Sequence, residues 1–230
     1  MTAIVTPEPN ATPPARHDGE AARARLLSSG LRLFAQQGYA KTSTRELAEA
    51  AGVNVASISY YFGDKAGLYR ATFFEPLGPP PDEAAPIDAP GLDLTQSLTR
   101  LFAVFLEPLK RGDTARLCMK LRFREMLEPT GLWEEEIAHD IKPLHESLLA
   151  VLCRHFGVPE ADDELRGLAI SLVAIGVHLH VGHDVIHEVA PSLQGSAKAL
   201  DRWSSRLLMY AQAMIDAEGR RRASASGARP

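Results

Sequence analysis

Apolar residues recur along the chain with a spacing near 3.6 residues, which is the period of an α-helix. Leu27, Leu31 and Phe34 form the first clear stripe, and Gly38 is placed to end that helix. Further helical patterns cover 92–107, 113–127, 131–141, 144–156, 162–189 and 196–217. No segment shows the alternating pattern of a half-buried strand. The sequence therefore predicts an all-α protein with nine or ten helices.

Prolines divide this helical pattern into two parts. Six of them fall between positions 76 and 90, where no helix can continue through so many. Four more lie within the first fifteen residues, among small and polar side chains. The predicted organisation is a disordered segment at 1–17, a helical domain at 18–75, a linker or loop at 76–91, a larger helical domain at 92–218 and a disordered tail at 219–230.

Composition and charge narrow the possible functions. The 230 residues are 45% hydrophobic and 23% charged, with a net charge of −4, which argues against proteins that coat RNA or DNA through bulk positive charge. Residues 1–75 hold eight basic and seven acidic side chains and are slightly basic, so nucleic-acid contact is expected there. Two cysteines, the lack of a signal-peptide pattern and an apolar run of only ten residues at 168–177 predict a cytoplasmic protein without a membrane partner.

The stretch from Thr42 to Phe62 has the pattern of a helix-turn-helix. Ser43 and Glu46 have the spacing of a capping box at the start of a short helix, and Gly52 supplies a tight turn after it. A second helix is expected from about Val55. The side chains predicted to face inward are Leu47, Ala48, Ala51, Val55, Ile58 and Phe62.

The outward side of the second helix is unusual for a solvated surface. It carries small polar residues and the adjacent pair Tyr60 and Tyr61, which can pack on sugar and donate hydroxyl groups to phosphate. The alternative is that the tyrosines form a buried wedge against the first helix of the domain. Lys65 is placed for a further phosphate, and so is the start of the helix that Ser43 caps.

These residues resemble the DNA-binding domain of TetR/AcrR-type transcriptional regulators. The matching pieces are Leu33-Phe34, Gly38-Tyr39, Thr42-Ser43-Thr44, 48–53, 60–65 and Leu68-Tyr69. The resemblance implies DNA contacts at Ser43, Thr44, Arg45, Asn54, Ser57, Ser59, Tyr60, Tyr61 and Lys65. One departure is that Asn54-Val55-Ala56 stands where the family more often has a Ser-Lys-Gly type start, so one phosphate-binding lysine is missing.

Over about residues 40–157 the chain also resembles the CecR/CerR-type subgroup, through 124–130, 141–145 and 54–63. This implies a helical domain for dimerisation and ligand sensing. We expect a homodimer formed by the 162–189 and 196–217 helices in a four-helix bundle. Such a dimer would read a palindromic operator in double-stranded DNA, as a repressor released by a small molecule.

A mostly apolar effector cavity is expected among the helices between 94 and 190. Its candidate lining residues are Phe105, Cys118, Met119, Arg122, Phe123, Met126, Trp133, His145 and His178. At helical spacing, the same residue types more often belong to a plain core. Arg122 and Arg124 are expected to form ion pairs at the surface or between helices, with Glu125 and Glu128 as partners.

Four histidines lie close together in the predicted 162–189 helix. His180, His183 and His187 fall on one face of a continuous helix, whereas His178 points away. A dimer seam or pocket wall, a metal site and a pH-sensing role are all compatible with this pattern. No set of nucleophile, base and orienting group is evident, so we expect neither an enzyme nor a bound cofactor. The alternative functions are a helical metal-binding protein and a constitutive DNA-binding protein without an effector.

Overall fold

The computed structural model describes residues 14–75 and 86–227, and these residues are almost entirely helical, without a strand. The all-α prediction is therefore confirmed. The described residues fall into two compact units, divided at 76/77. The first unit contains α1 (Pro14–Gln37), α2 (Thr44–Ala51), α3 (Ala56–Phe62) and α4 (Lys65–Phe74). The second contains α5 (Leu94–Lys110), α6 (Asp113–Leu127), α7 (Leu132–Glu136), α8 (Lys142–Phe156), α9 (Asp163–Val181), α10 (His183–Val189) and α11 (Ala197–Gly227).

In the first unit, α1 packs against both α2 and α4. Leu26, Phe34, Leu47 and Leu68 are completely buried between these helices. The ring of Tyr69 on α4 meets that of Phe34 edge to face, with centroids 4.9 Å apart. A well-packed apolar core of this kind holds the short helices α2 and α3, which are too short to be stable alone.

In the second unit, α5 is the central helix and packs against α8, α9 and α11. Its residues Leu98, Leu101 and Phe102 are completely buried. A Cβ atom on Gly176 of α9 would lie 2.3 Å from the ring of Phe105, so only glycine permits this approach of α9 to α5. Gly176 thus makes a close contact between two helices of the same chain.

The structure corrects three predicted boundaries. The first helix begins at Pro14, so residues 14–17, predicted to be disordered, are helical. The last helix continues to Gly227, where disorder was predicted from 219. Arg222 explains part of this extension, because it bonds to Asp162 ahead of α9 and to Glu218 one turn back on α11. The single helix predicted at 162–189 is interrupted at Gly182, which separates α9 from α10.

The structure describes the predicted N-terminal segment, linker and tail only in part. Residues 1–13, 76–85 and 228–230 lie outside the described residues. Residues 86–91 form turns, in which the amide of Ala89 donates to the carbonyl of Pro86 at 3.1 Å. Between α7 and α8 the chain forms one π-helical segment, Ile137–Ile141, a rare geometry that the sequence pattern did not indicate.

One helix of the described part, α9, is long and apolar enough to cross a membrane by length and composition alone. Its 18-residue window has a mean hydropathy of 1.4, and 28% of the window is buried within the chain. A helix whose apolar face packs against another protein chain meets the same criterion. Since the longest uninterrupted apolar run is much shorter than a bilayer span, this is weak evidence for a membrane segment.

Candidate functional site

The beginning of α2 is fixed by a complete capping box. The Glu46 carboxylate accepts hydrogen bonds from the backbone amide and the hydroxyl of Ser43, at 2.8 and 2.7 Å. The Ser43 hydroxyl oxygen in turn accepts from the Glu46 amide at 3.2 Å. These bonds from Ser43 lower the pKa of the Glu46 carboxyl. The predicted cap is therefore present, and it leaves Arg45 exposed and Thr44 half-buried at the helix start.

The turn between α2 and α3 depends on Gly52, which has φ 62° and ψ 42°. In this left-handed conformation the Val53 amide reaches back to the carbonyl of Ala48 at 3.0 Å, which closes the end of α2. The Asn54 side-chain oxygen then accepts from the Ala56 amide at 2.9 Å. Asn54 therefore sets the start of α3, in addition to standing exposed beside it.

Helix α3 rests on the first unit through a narrow base. Within α3 only Ile58 is fully buried, while Phe62 is half-buried beneath the guanidinium of Arg23. Val55, predicted to face inward, is 45% exposed. Val55 has helical backbone angles at the N-cap of α3, so its side chain stands at the end of the helix and is only partly covered.

The two tyrosines at the end of α3 have different environments. Tyr60 is 82% exposed, whereas Tyr61 is half-buried. A Cβ atom on Gly19 of α1 would lie 3.3 Å from the Tyr61 hydroxyl, and the Tyr61 ring packs against the Tyr60 ring at 4.8 Å. Tyr60 therefore faces outward, as predicted. Tyr61 is packed in part against α1, which is the position that the alternative prediction gave to both tyrosines.

The connection from α3 to α4 is unusually tight. Gly63 has φ 81°, and a Cβ atom on Gly67 would lie 1.9 Å from the carbonyl oxygen of Phe62. Asp64 caps α4 by accepting from the Gly67 amide at 2.7 Å. The ammonium group of Lys65 lies 4.2 Å from the centre of the Tyr39 ring, a cation–π contact that orients it at the start of α4.

The nine predicted DNA-contacting residues lie on α2, on α3, in the residues just before these two helices, and at the first position of α4. Exposed members are Ser43, Arg45, Asn54, Ser59 and Tyr60, and half-buried members are Thr44, Ser57, Tyr61 and Lys65. Lys41, which was not among the nine, is an exposed cation in the loop two residues before Ser43.

The nine residues predicted to line an effector cavity do not share one environment. Phe105 and Cys118 are core residues, and burial raises the pKa of the Cys118 thiol to about 11. Met126 and His178 are exposed on the described surface. The half-buried members are Met119, Arg122, Phe123, Trp133 and His145.

Charged groups around α6 and α7 are more buried than the sequence suggested. Glu125, expected in an ion pair, is fully buried, and its carboxylate accepts from the backbone amides of Thr130 and Leu132. Arg122 pairs with the buried Glu136 between the two helices. Burial, with a smaller contribution from nearby Asp140, raises the pKa of the Glu136 carboxyl to about 7. Arg124 and Glu128 form the expected surface pair.

A pocket of about 230 Å³ opens elsewhere in the second unit. Its lining residues are Leu92, Asp93, Leu94, Val151, Arg154 and His155. None of these belongs to the predicted set.

The histidines of α9 and α10 separate because Gly182 interrupts the helix. His180 turns toward α5, where its Nε2 lies 2.8 Å from the Phe105 carbonyl oxygen, and burial lowers its pKa. His183 lies 2.6 Å from the Gln194 side chain, and its ring stacks on that of His187. In the described part of the chain, no group of three ligating side chains that could hold a metal ion is present.

A capped helix, a glycine turn and a second helix with an exposed outer face define a helix-turn-helix DNA-binding domain, here followed by a larger helical domain. Residues 26–72 match the family described as bacterial regulatory proteins of the tetR family. Residues 94–217 match the C-terminal domain of the HTH-type transcriptional dual regulator CecR. The chain belongs to the TetR family of transcriptional regulators, with a CecR-type C-terminal domain, and its relatives are regulators and not enzymes.

One relative covers most of both chains. The HTH-type transcriptional dual regulator CecR of Shigella flexneri is 32% identical over 179 residues, which are 73% of this chain and 79% of the relative. Among solved structures, the hemolysin II transcriptional regulator HlyIIR has a TM-score of 0.57 at 20% identity and covers 84% of this chain and 97% of its own. A complex of SmeT with triclosan has a TM-score of 0.57 at 18% identity, covering 84% and 90%. At these identities the two structures show that the fold is shared.

Proposed function

We propose that this protein is a homodimeric repressor that binds a palindromic operator and is released from it by a small apolar molecule. The observation that carries the proposal is the exposed outer face of α3, with Tyr60 at its end, above a base that buries only Ile58. The ring of Tyr60 can pack on sugar, and its hydroxyl can donate to phosphate or to a base edge. A DNA major groove accepts one α-helix, and the small residues Ala56 and Ser59 let α3 lie deep in it.

The groups flanking α3 are suited to the sugar-phosphate backbone. The start of α2, with the exposed Arg45 and Lys41, offers positive charge and free amides on one side of α3. The start of α4 offers Lys65 on the other. Phosphate contacts of this kind fix the position of a recognition helix, and its outer side chains then contact the base edges.

A second copy of the chain is the proposed partner of α9 and α11. Ile170 and Val181 on α9 are more than half exposed, and Met209 and Tyr210 on α11 are nearly half exposed. Gly167 and Ala174 lie on the same exposed side of α9 and allow another helix to approach closely. A twofold axis pairs such a face with itself and buries it in a four-helix bundle. The dimer then presents two recognition helices to two half-sites.

The effector is proposed to bind in the second unit, among α6, α7 and α8. Met119, Phe123 and Trp133 supply apolar surface there, and each is half-buried and so able to rearrange around a ligand. Arg122 and His145 add polar groups that orient one. The π-helical segment 137–141 adjoins these helices, and such segments occur frequently at functional sites. The protein is expected to act in the cytoplasm, where its DNA target lies.

The test is a titration of labelled duplex DNA, taken from the region beside the gene of this protein, followed by fluorescence anisotropy. We expect affinity to fall steeply with salt, because each phosphate contact releases a counterion. Apolar compounds, triclosan among them, are then screened for their ability to release the protein from the labelled DNA. An effector should weaken DNA binding by roughly 5- to 150-fold, the usual range of such coupling.

Two outcomes would overturn parts of the proposal. No binding to any duplex at low salt would contradict the DNA-binding function. DNA binding that no compound in a broad screen weakens would contradict the effector step and favour a constitutive DNA-binding protein.

A further inference from the structure

The second unit carries a pair of histidines that the proposed function leaves unused. His183 and His187 lie one turn apart on α10, and their nearly parallel rings have centroids 6.3 Å apart. His187 is exposed and His183 is half-buried, so both rings are accessible from solvent. Imidazoles spaced four residues apart on one helix face can bind the same metal ion.

Gln194 determines which nitrogen of His183 carries the proton. The Gln194 amide nitrogen donates to the carbonyl oxygen of Leu179 at 3.0 Å, and its amide oxygen lies 2.6 Å from the Nδ1 atom of His183. An amide oxygen can only accept, so Nδ1 of the neutral ring is the donor. The lone pair of the His183 side chain is therefore on Nε2. Metal-binding histidines are commonly oriented in this way, through a hydrogen bond from the other ring nitrogen.

We propose that His183 and His187 bind one divalent transition-metal ion of the nickel, copper and zinc group, through one ring nitrogen each. Imidazole suits these metals, whereas magnesium and calcium prefer oxygen ligands. No third ligating side chain joins the pair in the described part of the chain, so water occupies the remaining coordination positions. The site is thus open, unlike the closed four-ligand sites that hold structural zinc. It does not depend on the DNA-binding function, and it is tested without DNA.

The experiment is isothermal titration of the untagged full-length protein with nickel chloride and with zinc chloride. We expect one ion per chain. His187→Ala should abolish this stoichiometric binding, and it should leave the fold intact because His187 is exposed. Gln194→Ala should keep the stoichiometry and weaken the affinity by about 10- to 100-fold, the usual effect of removing the partner that orients a ligand. His155→Ala, at an exposed histidine on α8, is the matched control and should bind as the wild type does.

Copper(II) provides an independent readout. Its electron paramagnetic resonance spectrum should show coupling to two imidazole nitrogens in the wild type and to one in His187→Ala. Absence of stoichiometric binding by the wild type would overturn the proposal, and so would unchanged binding by His187→Ala. A Gln194→Ala variant with wild-type affinity would overturn the assigned role of Gln194.

Discussion

At the scale of single residues, Tyr60 is the side chain on which the proposed DNA contact depends most. It is 82% exposed, so its removal deletes little packing within the chain. We predict that Tyr60→Ala weakens binding to operator DNA by about 1 to 3 kcal/mol, or roughly 5- to 150-fold, the usual loss for a direct contact. Anisotropy with labelled duplex measures the affinity, and thermal unfolding of the free protein should be unchanged.

Leu127→Ala is the control for Tyr60→Ala, because Leu127 is a large exposed side chain of the other unit, outside the proposed DNA-contacting and dimer surfaces. It should leave the intrinsic contact between α3 and DNA intact at protein concentrations that maintain the dimer. Equal operator affinity of Tyr60→Ala and the wild type would show that the outer face of α3 is not the DNA-contacting surface.

Glu136 gives the second unit a pH dependence whose sign is determined by burial. Because the pKa of this carboxyl is about 7 in the folded protein and about 4.5 when unfolded, the folded state holds its proton more tightly. The protonated Glu136 carboxyl therefore stabilises the folded state. This contribution is complete below pH 4.5 and is lost as pH rises through 7. In Glu136→Gln this titration is absent.

We predict that the unfolding free energy of the wild type, relative to Glu136→Gln, falls by on the order of 1 to 3 kcal/mol between pH 5 and pH 8. Denaturant unfolding of both proteins at the two pH values measures the difference. Glu128→Gln, at an exposed carboxylate paired with Arg124, is the control and should show little of this change. The raised pKa would be contradicted if the difference in unfolding free energy between the wild type and Glu136→Gln is the same at both pH values. A wild type that gains stability over Glu136→Gln at pH 8 would contradict it as well.

At the scale of elements, the turn between α3 and α4 depends on Gly67. A Cβ atom at this position would lie 1.9 Å from the Phe62 carbonyl oxygen, which is backbone and cannot move without displacing α3. We predict that Gly67→Ala destabilises the first unit by about 3 kcal/mol and weakens DNA binding at the same time, since overpacking here moves the recognition helix. Thermal unfolding and duplex anisotropy measure the two effects.

Gly219→Ala serves as the control for Gly67→Ala. Gly219 is also helical, but its Cβ would meet Phe156 at 3.5 Å, an ordinary contact distance. This substitution should be neutral or should stabilise by up to about 1 kcal/mol, because alanine favours the helix. If Gly67→Ala is also neutral or stabilising, the claim that the α3–α4 connection leaves no room for a Cβ atom is wrong.

Local signals in the sequence were sufficient for the capped α2, the turn at Gly52 and the exposed Tyr60. Each depends on residues within a few positions of one another, such as Ser43 with Glu46. The errors have non-local causes. Residues 219–227 are helical because Arg222 reaches Asp162, sixty positions away. Phe105 packs into the core because Gly176, far along the chain on α9, lets that helix approach it.

At the scale of the whole molecule, the proposed dimer depends on the exposed side of α9. Ala174 lies on that side, among small and apolar residues. We predict that Ala174→Asp produces monomers that remain folded, because it places two unpaired carboxylates in the buried centre of the interface. Sedimentation velocity measures the mass, and operator affinity should fall together with dimer content.

Ala150→Asp introduces the same charge at an exposed position of α8, outside the proposed interface. It should remain dimeric and bind DNA as the wild type does. A dimeric Ala174→Asp protein would show that another surface forms the interface, and a monomeric wild type would remove the basis for two-site recognition.

The central claim is that two copies of α3 contact successive half-sites on one duplex. Repeated selection of protein-bound sequences from a random duplex library tests it most directly, because no operator needs to be known in advance. The account predicts enrichment of an inverted repeat with half-site centres one helical turn apart, about 10 base pairs, or a multiple of it. The same selection with Tyr60→Ala should lose the enrichment. Recovery of unrelated sequences, or of single half-sites without symmetry, would contradict the account.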